Sequence, residues 1–222
     1  MLGAPVVESF RSGPLETWQP LRVGGRFPTE VQAWSRGVLE LDGDATHYVY
    51  VMDGDAELAL SAGEFRLRAG MYATFAGQGA VRGDGTGLAV TRLGQRGPFL
   101  LGGPIESAGR LRYIDGCTDS LLLAPAVLGD PCLNHLHIPP GTAQSAHTHP
   151  SVRAGVIARG SGECVTPSGR HPLVAGLCFL IEPGCRHSFH TGAEALDVVV
   201  YHPDTDTGPT HHDHPMINRT VL

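Results

Sequence analysis

The 222-residue chain has no lysine. All 16 of its basic residues are arginine, a bias that a GC-rich genome produces and that says nothing of function. Acidic residues number 22 and the net charge is −6, so no broad basic surface invites nucleic acid or an anionic membrane. No stretch approaches the roughly 20 apolar residues of a transmembrane helix. The start, "MLGAPVVESFRSG", has no basic segment leading into an apolar run, so a signal peptide is not expected. The five cysteines (Cys117, Cys132, Cys164, Cys178 and Cys185) are odd in number and include no CxxC. A disulfide scaffold is therefore not expected, and a reducing cytoplasm fits the usage better. No segment carries the period of a long helix. Histidine is nearly missing from the first half: of 12, only His47 precedes residue 135.

What is present is glycine (30) and proline (17), which suits many short strands joined by tight turns. Alternating runs such as "THYVYVM", "AELAL", "EFRLR" and "YATFA" are separated by "DGD", "SAG" and "RAG". After a Gly/Pro-rich stretch the pattern returns as "CLNHLHI", "AGVIA", "GLCFLI" and "LDVVVY". This spacing predicts an all-β antiparallel sandwich or barrel. The halves repeat one pattern. "YVYVMDGDAEL" (48–58) parallels "AGVIARGSGEC" (154–164), and "LRAGMYATFAG" (67–77) parallels "LVAGLCFLIEP" (173–183). The expected layout is an irregular N-terminal arm with about one strand (1–34), a first barrel (35–100), a linker (101–110), and a second barrel with a tail (111–222).

Residues 141–160 read "GTAQSAHTHPSVRAGVIARG". In a strand, alternate residues face one side, so His147 and His149 can point together into a barrel, and His187 can join them from another strand. Three neutral imidazoles suit iron, zinc, copper or nickel and leave positions open for substrate. The alternative is three hydrogen-bonded core histidines.

The spacing Gly141, five residues, His147-x-His149, three residues, Arg153, six residues, Gly160 resembles the first cupin motif, G-x5-H-x-H-x3,4-E-x6-G. Only the glutamate is replaced. Gly176, Pro183, Gly184, His187 and Thr191 resemble the second motif, G-x5-P-x-G-x2-H-x3-N, with the proline one place late and threonine at the asparagine position. The resemblance implies tandem cupin jelly-roll barrels, a bicupin, with one divalent metal ion on His147, His149 and His187. Fe(II) is the expected ion, with Zn, Ni, Mn or Cu as alternatives. Aligned on the repeat, the first barrel has Leu41, Gly43, His47 and Val81 where the second has His147, His149, Arg153 and His187. It cannot build the same site, and His47 is expected to be a hydrogen-bonded histidine of the core or rim.

Arg153 stands where a ligand carboxylate is usual. A guanidinium about 5 Å from a divalent ion, at an effective dielectric near 20, is repelled by roughly 6–7 kcal/mol, comparable to the stability of a domain. Arg153 therefore turns to a protein carboxylate (Glu163, Glu182 or Asp197), is turned outward by a one-residue bulge, or shares an anion with the metal. A substrate carboxylate or enolate could be that anion. The pattern is similar to that of three-His cupins, such as the thiol, diketone and aromatic ring-cleaving dioxygenases.

In "CLNHLHI", Leu133, His135 and His137 share one face, and Asn134, Leu136 and Ile138 the other. Facing inward, His135 and His137 would serve beside the metal as acid or base; facing outward, they are surface histidines. Tyr201 either packs or donates its hydroxyl to substrate. Cys185 reads as a small buried hydrophobe and His190 as a surface residue. The tail, with His211, His212, His214 and "HPMINRT", is expected to cross a barrel mouth as a lid or dimer contact.

The expected function is that of a metal-dependent enzyme, foremost a non-haem Fe(II) dioxygenase acting on a small acidic or chelating substrate. A non-redox isomerase, lyase or hydrolase and a non-catalytic binding protein are the alternatives. No organic cofactor, nucleic acid or membrane partner is expected, and a homodimer is.

Overall fold

The computed structural model describes residues 9–127 and 129–204, so the expectations for the histidine-rich tail lie outside the described residues. The first half contains β1 (Phe10–Pro14), β2 (Leu21–Val23), β3 (Thr29–Leu41), β4 (Ala45–Asp53), β5 (Asp55–Leu60), β6 (Gly63–Arg68), β7 (Tyr72–Ala76), β8 (Gly79–Leu93) and β9 (Leu100–Gly102). The second contains β10 (Leu111–Arg112), β11 (Thr118–Leu123), β12 (Cys132–Ile138), β13 (Arg153–Thr166), β14 (Gly169–Val174), β15 (Leu177–Ile181), β16 (Ser188–His190) and β17 (Leu196–His202). Among the described residues the only helices are two three-residue 3-10 turns, and none is long and apolar enough to cross a membrane.

All strand pairs are antiparallel. One sheet runs β2-β3-β8-β4-β7-β9 with β5 and β6 attached; the other runs β1-β15-β13-β17-β12-β11-β10 with β14 and β16 attached. The repeat legible in the sequence is a repeat of pairing. The β4–β5 run lies against β6, β7 and β8 as β13 lies against β14, β15 and β17. The fold is that of two tandem jelly-roll barrels.

The N-terminal arm differs from expectation. Residues 10–34 carry β1, β2 and the start of β3, and β1 adds to the far sheet, with Phe10 opposite Ile181 and Pro14 opposite Leu177. The exposed edge of β15 offers unpaired backbone groups that β1 satisfies. The predicted linker also contributes, since β9 pairs with β7.

Three apolar cores follow from strand alternation. The first barrel encloses Trp34, Val49, Leu58, Leu67, Phe75 and Val81. The second encloses Leu136, Ile138, Ile157, Phe179, Phe189 and Val198. The third lies between the barrels, where Tyr48, Tyr50 and Val90 meet Leu133, Val156, Leu180, Val199 and Tyr201. Strands β12 and β17, and β13 over residues 153–158, are thus buried on both faces.

Candidate metal centre

The imidazoles of His147, His149 and His187 converge at the mouth of the second barrel. One nitrogen from each lies within 4.8 Å of the others. The sequence predicts the histidine pair on a strand, but the structure places it in irregular chain between Gly141 and β13. Pro150 follows His149, lacks an amide donor and disfavours regular pairing there. His147 is nonetheless held by an isolated bridge to His187, each amide donating to the other's carbonyl at 2.9 Å. The amide of Gly184 donates to the carbonyl of His149 at 2.8 Å from a backbone with φ of +77°. Only glycine adopts that conformation without strain, which gives the second motif's glycine its role.

Ring orientation is fixed by the backbone. Nδ1 of His147 donates to the carbonyl of Ser145 at 2.8 Å, and Nδ1 of His187 to that of Cys185 at 2.9 Å. A carbonyl can only accept, so Nδ1 carries the proton and Nε2 presents a lone pair. Burial pushes the His187 imidazole down to about 4 and lowers that of His147. Burial first, and the Arg153 guanidinium second, hold His149 far below the ordinary imidazole range. All three are neutral at neutral pH, the state a metal ligand requires. Nitrogens about 2.1 Å from one ion lie at most about 4.2 Å apart, so a small rotation of the rings brings the set to ligand geometry. The donor set fits a divalent transition metal.

Arg153, the first residue of β13, is 2 % exposed and lines the same cavity. Its Nη1 donates to Ser151 Oγ at 2.6 Å and to the carbonyl of Val152 at 3.1 Å, and Ser151 Oγ in turn donates to Asp204. The three carboxylates considered from sequence are engaged elsewhere: Glu163 with Arg170, Glu182 with Arg11, and Asp197 with Arg159. The outward bulge is not found at this position. Val152 and Ala154 enter the core between the barrels, and Arg153 between them points to the histidines.

His135, His137 and Tyr201 do not join this cavity, a correction to the sequence reading. The inner face of β12 carries Asn134, Leu136 and Ile138, with Leu136 lining the cavity. His135 and His137 point the other way, and both donate to Asp197 Oδ1 at 2.8 Å while Arg159 Nε donates to Oδ2 at 2.9 Å. Burial favours a protonated Asp197, but these three bonds outweigh it and hold the carboxyl below its usual range. Arg159 also donates to the carbonyl of Glu106, tying the 101–110 segment to the second sheet. His135 lines a separate groove of about 630 Å3 with Tyr72, Ile105, Glu106 and Arg110. Tyr201 is fully buried between the barrels, its ring 5.1 Å from that of Tyr48.

Among the cavity residues that the sequence did not single out are His202 and Asp119. His202, 6 % exposed, lies with its ring 6.3 Å from that of His149, and burial followed by Arg153 lowers its imidazole strongly. Alternation along β17 could have found it, because Leu196, Val198 and Val200 share its face. Asp119 on β11 is 4 % exposed, and Asn134 Nδ2 donates to its Oδ1 at 3.0 Å. The cavity itself is about 30 Å3, with His147 and His149 half-exposed at its mouth. Cys185 is buried in the second core, as expected, while His190 is half-buried and bonded to Ser188.

In the first barrel, Leu41 and Val81 are buried apolar residues. His47 has both nitrogens satisfied: Nε2 donates to the carbonyl of Gly77 at 3.0 Å, leaving Nδ1 to accept from the Thr91 hydroxyl at 2.8 Å. Among the described residues, the one cluster able to hold a metal is in the second barrel.

Residues 134–202 match the family model of the cupin domain. The chain has a TM-score of 0.67 and 15 % identity to the putative glyoxylate induced protein of Pseudomonas aeruginosa, covering 91 % of this chain and 83 % of that one. Against a salicylate 1,2-dioxygenase of Pseudaminobacter salicylatoxidans the score is 0.60 at 10 % identity, covering 82 % and 75 %. Against protein Ylba of E. coli it is 0.59 at 13 % identity, covering 91 % and 96 %. No curated protein matches the chain. The fold is the tandem cupin fold, and the part of the chain similar to the cupin-domain model, residues 134–202, lies in the second barrel.

Proposed function

We propose that this two-barrel cupin protein is a metal-dependent enzyme, foremost an Fe(II) dioxygenase acting on a small acidic or chelating substrate. His147, His149 and His187 would hold the ion through Nε2 of the first and last and one nitrogen of His149. The observation that carries this reading is the convergence of three neutral imidazoles beside a buried arginine in one cavity. A bound Fe(II) would supply a redox-active centre with positions open to dioxygen and a chelating ligand.

The residues of the chain would do the rest. Arg153 presents a permanent cation to the cavity, so a substrate anion between it and the three imidazoles relieves the repulsion that an ion would otherwise meet. The 30 Å3 cavity admits only the chelating end of a substrate. Its remainder would lie at the mouth, against the half-exposed His147 and His149. Phe179, Phe189, Val198 and Val200 line the inner wall and exclude water. The first barrel would be structural, presenting Tyr48, Tyr50 and Val90 to the back of the second.

A second reading, a non-redox isomerase, lyase or hydrolase, draws on the carboxyl of Asp119 in the same wall, because such reactions need a proton carrier. Oxygen uptake by Fe(II)-loaded protein, measured against a panel of small hydroxy- and keto-acids, tests the proposal. Uptake dependent on one acid class and lost in His149→Ala supports it. Conversion of such an acid without oxygen uptake would establish the second reading. A purified, untagged protein that takes up no divalent metal overturns both.

A further inference from the structure

Asp119 has no role in the metal set, yet its position is costly. It is 4 % exposed, it lines the cavity shared by the three histidines, and among the described residues it has no ion-pair partner. Its one hydrogen bond to a side chain comes from Asn134, itself fully buried on the neighbouring strand β12. A carboxylate kept from water without a cation is strongly disfavoured unless it can be neutralised. Apolar residues fill equivalent inward positions on these strands, such as Leu136 and Val198, and would cost nothing comparable.

We propose that Asp119 is the proton carrier of this cavity: its carboxylate takes the proton of an acidic hydroxyl on a bound substrate and returns it to the product. The substrate O–H bond breaks, its electron pair stays on the substrate oxygen, and a carboxyl O–H bond forms; the return step is the reverse. Asn134 is a positioning residue, its amide holding Oδ1 and leaving the other oxygen to exchange the proton. The inference rests on the functional reading above and holds for its redox and non-redox forms alike.

The protonation state supports the assignment. Burial raises the Asp119 carboxyl to about 7, with the Asn134 bond acting against it. Such a group is divided between its two forms near neutral pH, as a proton carrier must be. The charged and titratable groups on the same cavity wall are Tyr113, Arg153 and the imidazoles of His147, His149, His187 and His202. On the outer side β10 places Leu111 opposite Asp119.

The test counts protons. Acetohydroxamic acid, a small chelator that loses its hydroxyl proton on binding a metal, is titrated calorimetrically into metal-loaded wild type and Asp119→Asn. Titrations run at about pH 8, in two buffers of different ionisation enthalpy. Wild type is expected to release clearly less than one proton per ligand to buffer, and Asp119→Asn a full proton, at equal metal content; Asp119→Glu should restore the deficit. Carbon-13 NMR of wild type alone should show one aspartate carboxyl titrating near neutrality, so the proposal stands or falls even if the variants misfold. Equal proton release at equal metal content, or no such carboxyl, overturns the proposal alone. Failure of the wild-type protein to take up metal overturns the functional reading and the proposal with it.

Discussion

His147 and His187 hold each other through a pair of 2.9 Å backbone hydrogen bonds, and their rings lie 4.7 Å apart. Two of the three candidate ligands are thus placed by main chain and would keep their positions when a side chain is cut back.

The backbone of His149 is held through its carbonyl, which accepts from Gly184, and its ring lies among those of His147, His187 and His202. His149→Ala should therefore abolish stoichiometric metal while leaving the fold unchanged. Elemental analysis of untagged protein beside its circular dichroism checks this; full metal retention would remove His149 from the ligand set.

Arg153→Leu should keep the metal and raise KM for an acidic substrate by roughly ten- to a hundredfold, the worth of a charge-assisted hydrogen bond. Arg153→Glu should tighten metal binding by adding a carboxylate ligand and slow turnover by filling an open position. Steady-state kinetics with metal competition by a chelator separates the effects. An Arg153→Leu enzyme with unchanged KM would assign the arginine to structure.

Asp119 makes stability depend on pH in a definite direction. Its folded value, about 7, lies above that of an unfolded aspartate near 4. The stability it lends is complete below about pH 4 and is lost as pH rises through about 7. Asp119→Asn carries no such charge. Relative to wild type it should gain stability between about pH 4 and 7, by an amount on the order of a few kcal/mol, and hold that gain above. Urea unfolding of both proteins across this range reads the difference; parallel curves would mean that Asp119 titrates normally.

Tyr201 lies between the barrels and away from the cavity. Tyr201→Phe should retain metal and turnover with a stability change within about 1 kcal/mol, whereas Tyr201→Ala should cost roughly 3–5 kcal/mol by opening a void in the shared core. Loss of turnover in a stable, metal-loaded Tyr201→Phe would return the hydroxyl to the reaction.

The spacing of glycines and histidines made the three-histidine cluster legible, because a glycine such as Gly184 occupies a turn whose backbone holds the chain that bears the rings. The faces of β12 were not legible. Both are buried, one in the second barrel and one toward the first, so alternation of Leu133-His135-His137 with Asn134-Leu136-Ile138 distinguishes two faces without saying which is the inner one. The outward histidines find Asp197, a partner 62 residues from His135 in sequence. Asp119 was missed for the same reason: in "TDSLLL" it looks like a turn acid, and only the pairing of β11 with β12 sets it opposite Leu136 and faces it inward. Alternation left the direction of Arg153 open, because the chain just before it is irregular; the structure places it on the cavity wall.

Strand β1 closes the outer edge of the second barrel's sheet, although it precedes the whole first barrel in the chain. During synthesis its partner β15 emerges only after the whole first barrel, so β1 must wait for it unpaired. The histidine-bearing barrel is consequently no module that could be excised or grafted at the 101–110 segment. Cut there, it would lose a strand, bare the back of β13 and β17, and expose an unpaired edge to the next copy.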